Sequence, residues 1–455
     1  MATTASQSQT LARVDQEQLR EALRSVELAV STAAPFVHLS STASRLELRT
    51  FGNYIHLRVR LPLDDVEAGL KATVAPAELK RALGAFAKED VLELSQGEGE
   101  GLVIAHGRRR VSLPEVSEAV PVWPSLRGKR AVADSTDPSQ LARDFELAMR
   151  TAHDEQFRPV LCSVLIDFDE GVLVSTDSYR LQRRSAPLRA AGEEAGDVVI
   201  PRDAAKVLAK DLRRRTNKVV FAATREWLSV SQGPMELVVR PVEGQYPDWR
   251  KLLADAPERG LSVEREALAE SLRAVEAIAS SSSSRSRERE PVRVILDSDG
   301  ISLRFRSLRD ATLEEELSAE GWTGDPVEAG FQPHFLLDAI KVLDDERIEI
   351  RVKDALRPIL VAGEQAVVLQ MPPAELTGGR SQASATVGFR RGAARLRRRP
   401  RREAKSRRRQ RPAKGRRWRR PRSGRQSRPR RRRGRGERPR PRRRPRRSTG
   451  SKAGP

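Results

Sequence analysis

Cysteine is almost missing: Cys162 is the only one in 455 residues. That excludes a disulfide framework and any zinc site built on cysteine pairs, and it fits a reducing compartment. No stretch approaches the roughly 18 consecutive apolar residues a membrane-crossing helix needs. The N-terminal MATTASQSQTLARVDQEQLREAL lacks the apolar core of a secretory signal. Catalytic signatures are absent too. The histidines (His38, His56, His106, His153, His334) are scattered without HExxH or paired spacing, and there is neither a Gly-rich phosphate loop nor a GxSxG. Asp167 and Asp169 in IDFDEG, and Asp297 and Asp299 in LDSDG, precede a glycine suited to a hairpin, so turn chemistry explains them better than a metal. Cys162 has no identifiable histidine partner and is not read as a nucleophile. These absences predict a soluble cytoplasmic protein, not an enzyme, with no cofactor and no metal, whose shape is its function.

What is plentiful is charge, unevenly placed: 85 Lys+Arg against 62 Asp+Glu, a formal +23. From Arg380 to Pro455 there are 35 basic residues and two acids, Glu403 and Glu437, whereas residues 1–379 hold 50 basic and 60 acidic side chains. An acidic body therefore carries an arginine tail. The Arg, Pro, Gly, Ser and Ala of that tail cannot bury enough apolar surface to fold, so 377–455 is expected to be disordered. Two readings stay open: a polycation that binds nucleic acid with steep salt dependence, with Trp418 as a stacking group, or an out-of-frame extension of a GC-rich gene.

The body repeats. VDQEQLREALRSVELAV from Val14, DPSQLARDFELAMRTA from Asp137 and VEREALAESLRAVEAIAS from Val263 share apolar residues at helical spacing, with leucines at 19, 141 and 268 in register. Each unit has a second helix: APAELKRALGAF, PRDAAKVLAKDL and QPHFLLDAIKVL, opened by Pro76, Pro201 and Pro333, where a missing N–H costs nothing. Alternating runs joined by short Gly-containing turns, such as SVLIDF-DEG-VLVST, read as hairpins. The fold class is therefore α+β, three similar units of two helices on antiparallel sheets, with six to eight strands each. Boundaries are expected near Arg127–Ser135 and Ala254–Leu261, and the serine-rich Ser280–Arg289 reads as a mobile loop. The helices concentrate basic side chains: Arg20, Arg24, Lys80, Arg81, Arg143, Arg150, Arg202, Lys206, Lys210, Arg213 and Arg273, with Lys88, Arg214 and Arg215 beside them. Such a pattern suits sequence-independent phosphate contact, and it equally suits ordinary solvated helix faces.

Several segments resemble a known family, the bacterial DNA polymerase III beta subunit, or sliding clamp. RPVLCSVLIDF from Arg158 is similar to its RPVLNGV segment, STDSYRLQRR to ATDGHRLA, VVIPRDAAKVL to VIIPRKAL, and VEGQYPDWRKLL to EGxFPDYRRLIP. GFQPHFLLDAIKVLDDERIEIRVKDALRPILV resembles NPRYLLDALKAL with the family's ELRF and DPLRPALI after it. VVLQMPP stands where the family has VVMPMRL, and HGRRRVSLPEV is similar to GRSRFSLPTLP. The matches keep the family's order over about Val14 to Leu376. The resemblance implies three DNA-clamp domains (1–128, 129–255, 256–376), closing head-to-tail as a homodimer into a ring around double-stranded DNA, with helices lining the hole. It implies a non-catalytic processivity factor of DNA replication that tethers the DNA polymerase catalytic subunit and is loaded by an ATP-dependent clamp loader, both bound through short Leu/Phe-containing motifs. By position, the implied partner pocket is Leu161, Thr176, Tyr179, Arg180, Leu181, Pro247, Lys251, Leu252, Leu369, Met371 and Pro372. The implied DNA-facing set is the helix bases named above from Arg20 to Arg273, with Arg158. Departures are concrete: Ser178 replaces a common Gly, Cys162 an Asn, Gln370 an apolar residue, and Pro373-Ala374-Glu375 the Met-Arg-Leu ending. The alternatives are a divergent clamp paralogue, or an Arg-rich nucleic-acid-binding protein without a loading role.

Overall fold

Each third of the chain repeats one succession of elements. In the first, a strand Thr10–Asp15 leads into helix α1 (Gln16–Glu27), then strands Val37–Thr42, Arg45–Phe51, Ile55–Pro62 and Lys71–Val74, helix α2 (Pro76–Leu83), and strands Val91–Gln96, Leu102–His106 and Arg109–Ser112. The middle third runs Arg130–Ser135, α3 (Pro138–Ala148), Ser163–Asp167, Val172–Thr176, Arg180–Ser185, Asp197–Pro201, α4 (Arg202–Asp211), Val219–Ala223, Leu228–Gln232 and Met235–Val239. The connection then holds a short helix α5 (Trp249–Ala254), which the repeat pattern does not contain. The last third runs Gly260–Glu264, α6 (Arg265–Ala279), Val292–Asp297, Gly300–Arg306, Thr312–Leu317, Val327–Phe331, α7 (Pro333–Lys341), Arg347–Arg351, Ile359–Ala362 and Ala366–Gln370. Two-residue strands at Arg189–Ala190 and Ala319–Glu320 complete the sheets.

This computed structural model describes residues 10–32, 35–63, 69–96, 101–114, 116–153, 158–192, 196–279, 290–307 and 310–372. The expected disordered tail, Trp418, the Ser280–Arg289 loop and the 373–375 departure lie outside the described residues.

The helices form where the apolar spacing predicts. Leu19, Leu23 and Val26 on α1, Leu141, Phe145 and Ala148 on α3, and Leu268, Leu272 and Val275 on α6 are all at most 1% exposed. Each such stripe stabilises its helix by laying an apolar face on the sheets, worth ~1.5–3 kcal/mol per fully buried large side chain. Pro76 and Pro333 occupy the first helical turn as expected. Pro201 stands one step earlier, as the residue flanking α4, with φ −62°. Asp137 caps α3 by accepting the Gln140 N–H at 2.9 Å. The paired aspartates are turn residues: Asp167 accepts the Glu170 N–H at 2.9 Å, and Asp297 accepts those of Asp299 and Gly300 at 2.9 and 3.2 Å.

Among the described residues four antiparallel sheets result, and two of them cross from one third to the next. One nine-stranded sheet pairs Ile55–Pro62 of the first third with Met235–Val239 of the middle. The other pairs Arg180–Ser185 of the middle with Ala366–Gln370 of the last. The first and last thirds each keep a four-stranded sheet of their own, with Arg109–Ser112 on the edge of one and Thr312–Leu317 on the edge of the other. One apolar core runs through the first and middle thirds, and a second fills the last, with Leu147 of α3 reaching into it. Among the described residues no helix is long and apolar enough to cross a membrane.

Candidate functional site: helix faces and sheet junctions

The helices pair within each third: α1 on α2, α3 on α4, α6 on α7. Their sheet-facing residues are apolar, so the bases are left on the outer surfaces. Arg24, Lys80, Arg81, Arg143, Arg150, Arg158, Lys206, Lys210, Arg213 and Arg273 are exposed, and Arg20 and Arg202 half-buried. Lys206 and Lys210 lie one turn apart on α4, opposite Val207 and Leu208, which are 1% and 0% exposed. Several bases are partly neutralised. Lys80 meets Glu27 at 3.5 Å, Arg273 meets Glu266 at 2.9 Å, Arg213 meets Glu146, and Arg143 meets Asp344. Arg202 is used structurally: it donates to the carbonyls of Ala152 and His153 at 2.9 and 3.3 Å. The α6–α7 pair carries Glu266, Glu270, Glu276 and Asp338 against Arg265, Arg273 and Lys341, and Glu266 pairs with both Arg265 and Arg273.

The junction between the middle and last thirds carries an apolar row. Register places Thr176 opposite Leu181, Leu181 opposite Leu369, and Leu369 opposite Leu360. These leucines cluster with Leu165, Val172, Val174 and Trp249, and Tyr246, Leu252, Leu253 and Ala256 pack against the cluster. The covering segment is held by Asp248, which caps α5 by accepting the Lys251 N–H at 3.2 Å, and by the Tyr246 hydroxyl donating to the Val174 carbonyl at 3.1 Å. Burial pushes the Tyr246 hydroxyl pKa well up.

Of the pocket residues expected from sequence, Leu181, Leu252 and Leu369 come together here, with Pro247 and the exposed Lys251 on the covering segment. Arg180 does not line the same wall. Successive strand residues point to opposite faces, and Arg180 turns to the helix side, bonded to Asp177 and Asp338 at 3.0 Å each and to the Arg150 carbonyl at 2.9 Å. Its guanidinium lies 4.5 Å from the Phe335 ring centre. Tyr179 stands 60% exposed beyond Ser178, whose φ of 79° is a left-handed conformation that explains why glycine suits this position. The Tyr179 carbonyl accepts the Met371 N–H at 2.8 Å, which extends the ladder past its last paired residue and leaves Met371 and Pro372 half-buried. The Thr176 hydroxyl is spent on the same turn, donating to the Arg180 carbonyl at 2.7 Å. Leu161 is buried outside the cluster. Sequence reasoning missed Tyr246, Trp249 and Leu360. The first two stood in plain view in the YPDW step, spaced three apart ahead of Leu252 and Leu253.

The junctions also hold buried charge that no motif announces. Arg184, 0% exposed, donates to Asp144 at 2.5 Å, to Asp344 at 2.9 Å and to the Val342 carbonyl at 2.7 Å. It ties the middle third to the last. Burial pushes the Asp144 carboxyl up in spite of Arg184, whereas Arg184 and Arg143 outweigh burial and hold Asp344 down. At the other junction Glu236 receives Arg58 at 2.7 Å, Arg60 at 3.3 Å and Lys129 at 3.5 Å.

Residues 137–248 match the central domain of the DNA polymerase III beta subunit, and residues 250–371 its C-terminal domain. Among individual proteins, the chain is 24% identical over 326 residues to the beta sliding clamp of Pseudomonas aeruginosa, spanning 71% of this chain and 84% of that one. It is 27% identical over 207 residues to the beta sliding clamp of Staphylococcus aureus, spanning 45% and 53%. In three dimensions it shares its fold with the crystal structure of the DNA polymerase III subunit beta from Pseudomonas aeruginosa (TM-score 0.71, 22% identity, 79% of this chain and 99% of that one). A Caulobacter crescentus pol III beta structure agrees as closely, with TM-score 0.70, 21% identity and coverage of 79% and 99%.

Proposed function

This chain belongs to the DNA polymerase III beta subunit family, and from that premise we propose that it is a DNA sliding clamp, a processivity factor that makes and breaks no bond and holds a polymerase on duplex DNA by encircling it. The observation that carries the reading is how the chain joins its own thirds. In both internal junctions the third strand after a unit's first helix (Ile55–Pro62, Arg180–Ser185) pairs with the third strand after the next unit's second helix (Met235–Val239, Ala366–Gln370). Two strands are left over by that rule: Thr312–Leu317 in the last third and Arg109–Ser112 in the first, both sheet edges. The first presents Glu314, Glu315 and Glu316, and the second carries Arg109 and Arg110 next to Arg108. Unpaired edges invite a strand, and opposite charge sets the partner. A second copy joined head-to-tail satisfies both edges at once, and the ring closes.

In this reading the units are 1–128, 129–255 and 256–376, the helix bases face the duplex, and the apolar row at Leu181 and Leu369 anchors short Leu/Phe-containing motifs of the polymerase and the clamp loader in the cytoplasm. Encirclement needs only weak, screened attraction, which permits sliding. The charge of 377–455 favours a second reading, a nucleic-acid binder driven by the tail. One experiment on the full chain separates them. In solution the mass should be twice 50.7 kDa at micromolar concentration. After incubation with a bacterial clamp loader, ATP and nicked circular DNA, the protein should survive a high-salt wash and be lost when the circle is cut. A monomer whose retention ignores DNA topology and vanishes in salt would leave only the tail-driven reading.

A further inference from the structure

The junction between the first and middle thirds has an outer face laid out like the apolar cleft but with contrary chemistry. On the strands Val37–Thr42, Arg45–Phe51, Ile55–Pro62 and Lys71–Val74, one alternation phase supplies the core through Leu39, Leu48, Leu57 and Val59. The other phase is polar, and register aligns it in two rows across the strands: Arg58, Arg49, His38 and Thr73, then Arg60, Glu47, Ser40 and Lys71. Glu47 gathers Arg45 at 3.2 Å, Arg60 at 3.1 Å and Arg49 at 2.8 Å, while Glu236 gathers Arg58, Arg60 and Lys129. Five cations thus share two buried carboxylates. Exposed Lys71 adds a further positive charge with no ion pair among the described residues.

Over this face passes the segment Val116–Val120, and between segment and sheet lies a cleft of about 780 Å³ lined by Lys71, Arg49, His38, Thr73 and the segment itself. That is the size range of sites that take a small ligand or a few residues of peptide. Among the described residues Glu118 is the one acid lining it. His38 Nδ1 sits 2.8 Å from the Thr73 hydroxyl, and burial with the Arg49 charge lowers its pKa, which keeps the ring neutral at physiological pH. Val116, Ala119 and the half-exposed Val120 give the rim an apolar side. Farther along the connection Trp123 lies under Arg58 at 4.4 Å, as Trp249 lies near Arg183 at 5.9 Å across the apolar cleft.

We infer that this cleft is a second docking site, for an extended acidic peptide segment of a partner protein, with a carboxylate between Lys71 and Arg49 and a neighbouring apolar side chain against Val116 and Val120. Charge complementarity decides the occupant. Among the described residues the lining is net positive on a body that is otherwise acidic, and carboxylates gain more from a half-buried cationic wall than from an exposed one. The apolar rim favours a peptide over bare phosphate. The site stands on the geometry of this face and does not depend on the sliding-clamp reading.

The test uses the full chain and a synthetic peptide, acetyl-Glu-Leu-Asp-Leu-Glu-amide, with the isosteric Gln/Asn peptide and a short oligothymidylate as comparators. Hydrogen–deuterium exchange reports on Lys71–Val74 and Val116–Val120 directly, so binding to the arginine tail does not mask it. The acidic peptide should protect both segments. Lys71→Glu should weaken that protection about fivefold in peptide concentration, and Lys353→Glu, on the far third, should not. No protection of the two segments would overturn the proposal, as would equal protection in Lys71→Glu. Equal protection by the Gln/Asn peptide would remove carboxylate recognition, and protection by the oligonucleotide in place of the peptide would make the cleft a nucleic-acid site.

Discussion

Single residues at the junctions carry more weight than their number suggests, because they lie where two thirds of the chain meet. Arg184 is the clearest: fully buried, with both acids and a carbonyl as partners. Arg184→Ala would leave Asp144 buried without its cation and is expected to destabilise by about 3–5 kcal/mol, read by denaturant unfolding. Asp144→Asn should cost less, since burial already disfavours the ionised form there. Gln370 is the opposite case. Its amide is 0% exposed and neither polar atom has a partner among the described residues. Gln370→Met should therefore raise stability by about 1–3 kcal/mol, visible as a higher Tm.

Glu47 and Glu236 give the first junction a pH dependence with a definite sign. Burial works to raise both carboxyls, but the Arg49 and Arg60 bonds on Glu47, and the Arg58 charge and bond on Glu236, outweigh it and hold both below 4.5. A carboxyl depressed by folding stabilises fully above its unfolded value and loses that contribution as pH falls through the folded one. Thermal stability should thus hold near neutrality and drop on the acid side of about pH 4.5. Glu236→Gln should lower Tm at neutral pH and flatten the acid limb. An unchanged acid limb would mean that other carboxylates govern acid unfolding.

At the scale of elements, the sequence was most legible where one periodicity acts alone. The stripes Leu19–Leu23–Val26 and Leu268–Leu272–Val275 announced α1 and α6 because a helix face is written into consecutive residues. Strand pairing between thirds was not legible. Arg180–Ser185 meets Ala366–Gln370 across more than a hundred intervening residues, and nothing in either alternation names the other. For the same reason the sequence did not show which of the named residues share one face of the sheet. Leu181 and Leu369 could be named by resemblance, yet the alternation that sends Arg180 to the other face becomes decisive only once the register is known. Glu236 and Arg58 fall 178 residues apart, and no local pattern pairs them. The two leftover edges yield a test at this scale. Glu314→Arg with Glu316→Arg should weaken self-association at least about tenfold in sedimentation, because arginines would face Arg108 and Arg110 of a second copy. Adding Arg108→Glu and Arg110→Glu to the same chain should restore it. Failure of the restoring pair would place the contact elsewhere.

For the whole molecule the question is which cations touch DNA, and their setting decides it. A base already matched by an acid releases few counterions when a phosphate arrives, so it adds little to the salt dependence of binding. Arg273, 2.9 Å from Glu266 among the acids of α6, is such a base. Lys206 and Lys210 are exposed on one side of α4 and have no ion pair among the described residues. The arginine tail contributes to any affinity of the full chain, but it contributes equally to every variant of that chain. Differences between variants therefore isolate the helices. Lys206→Ala with Lys210→Ala should reduce the slope of log affinity against log salt for linear duplex DNA by about 2, while Arg273→Ala leaves it nearly unchanged. Equal effects from the two would mean that the tail or the outer surface, and not the α3–α4 face, meets the phosphates. A clamp whose grip is topological should moreover keep its residence time on closed circles when Lys206 and Lys210 are lost, because retention would then rest on ring closure and not on helix charge.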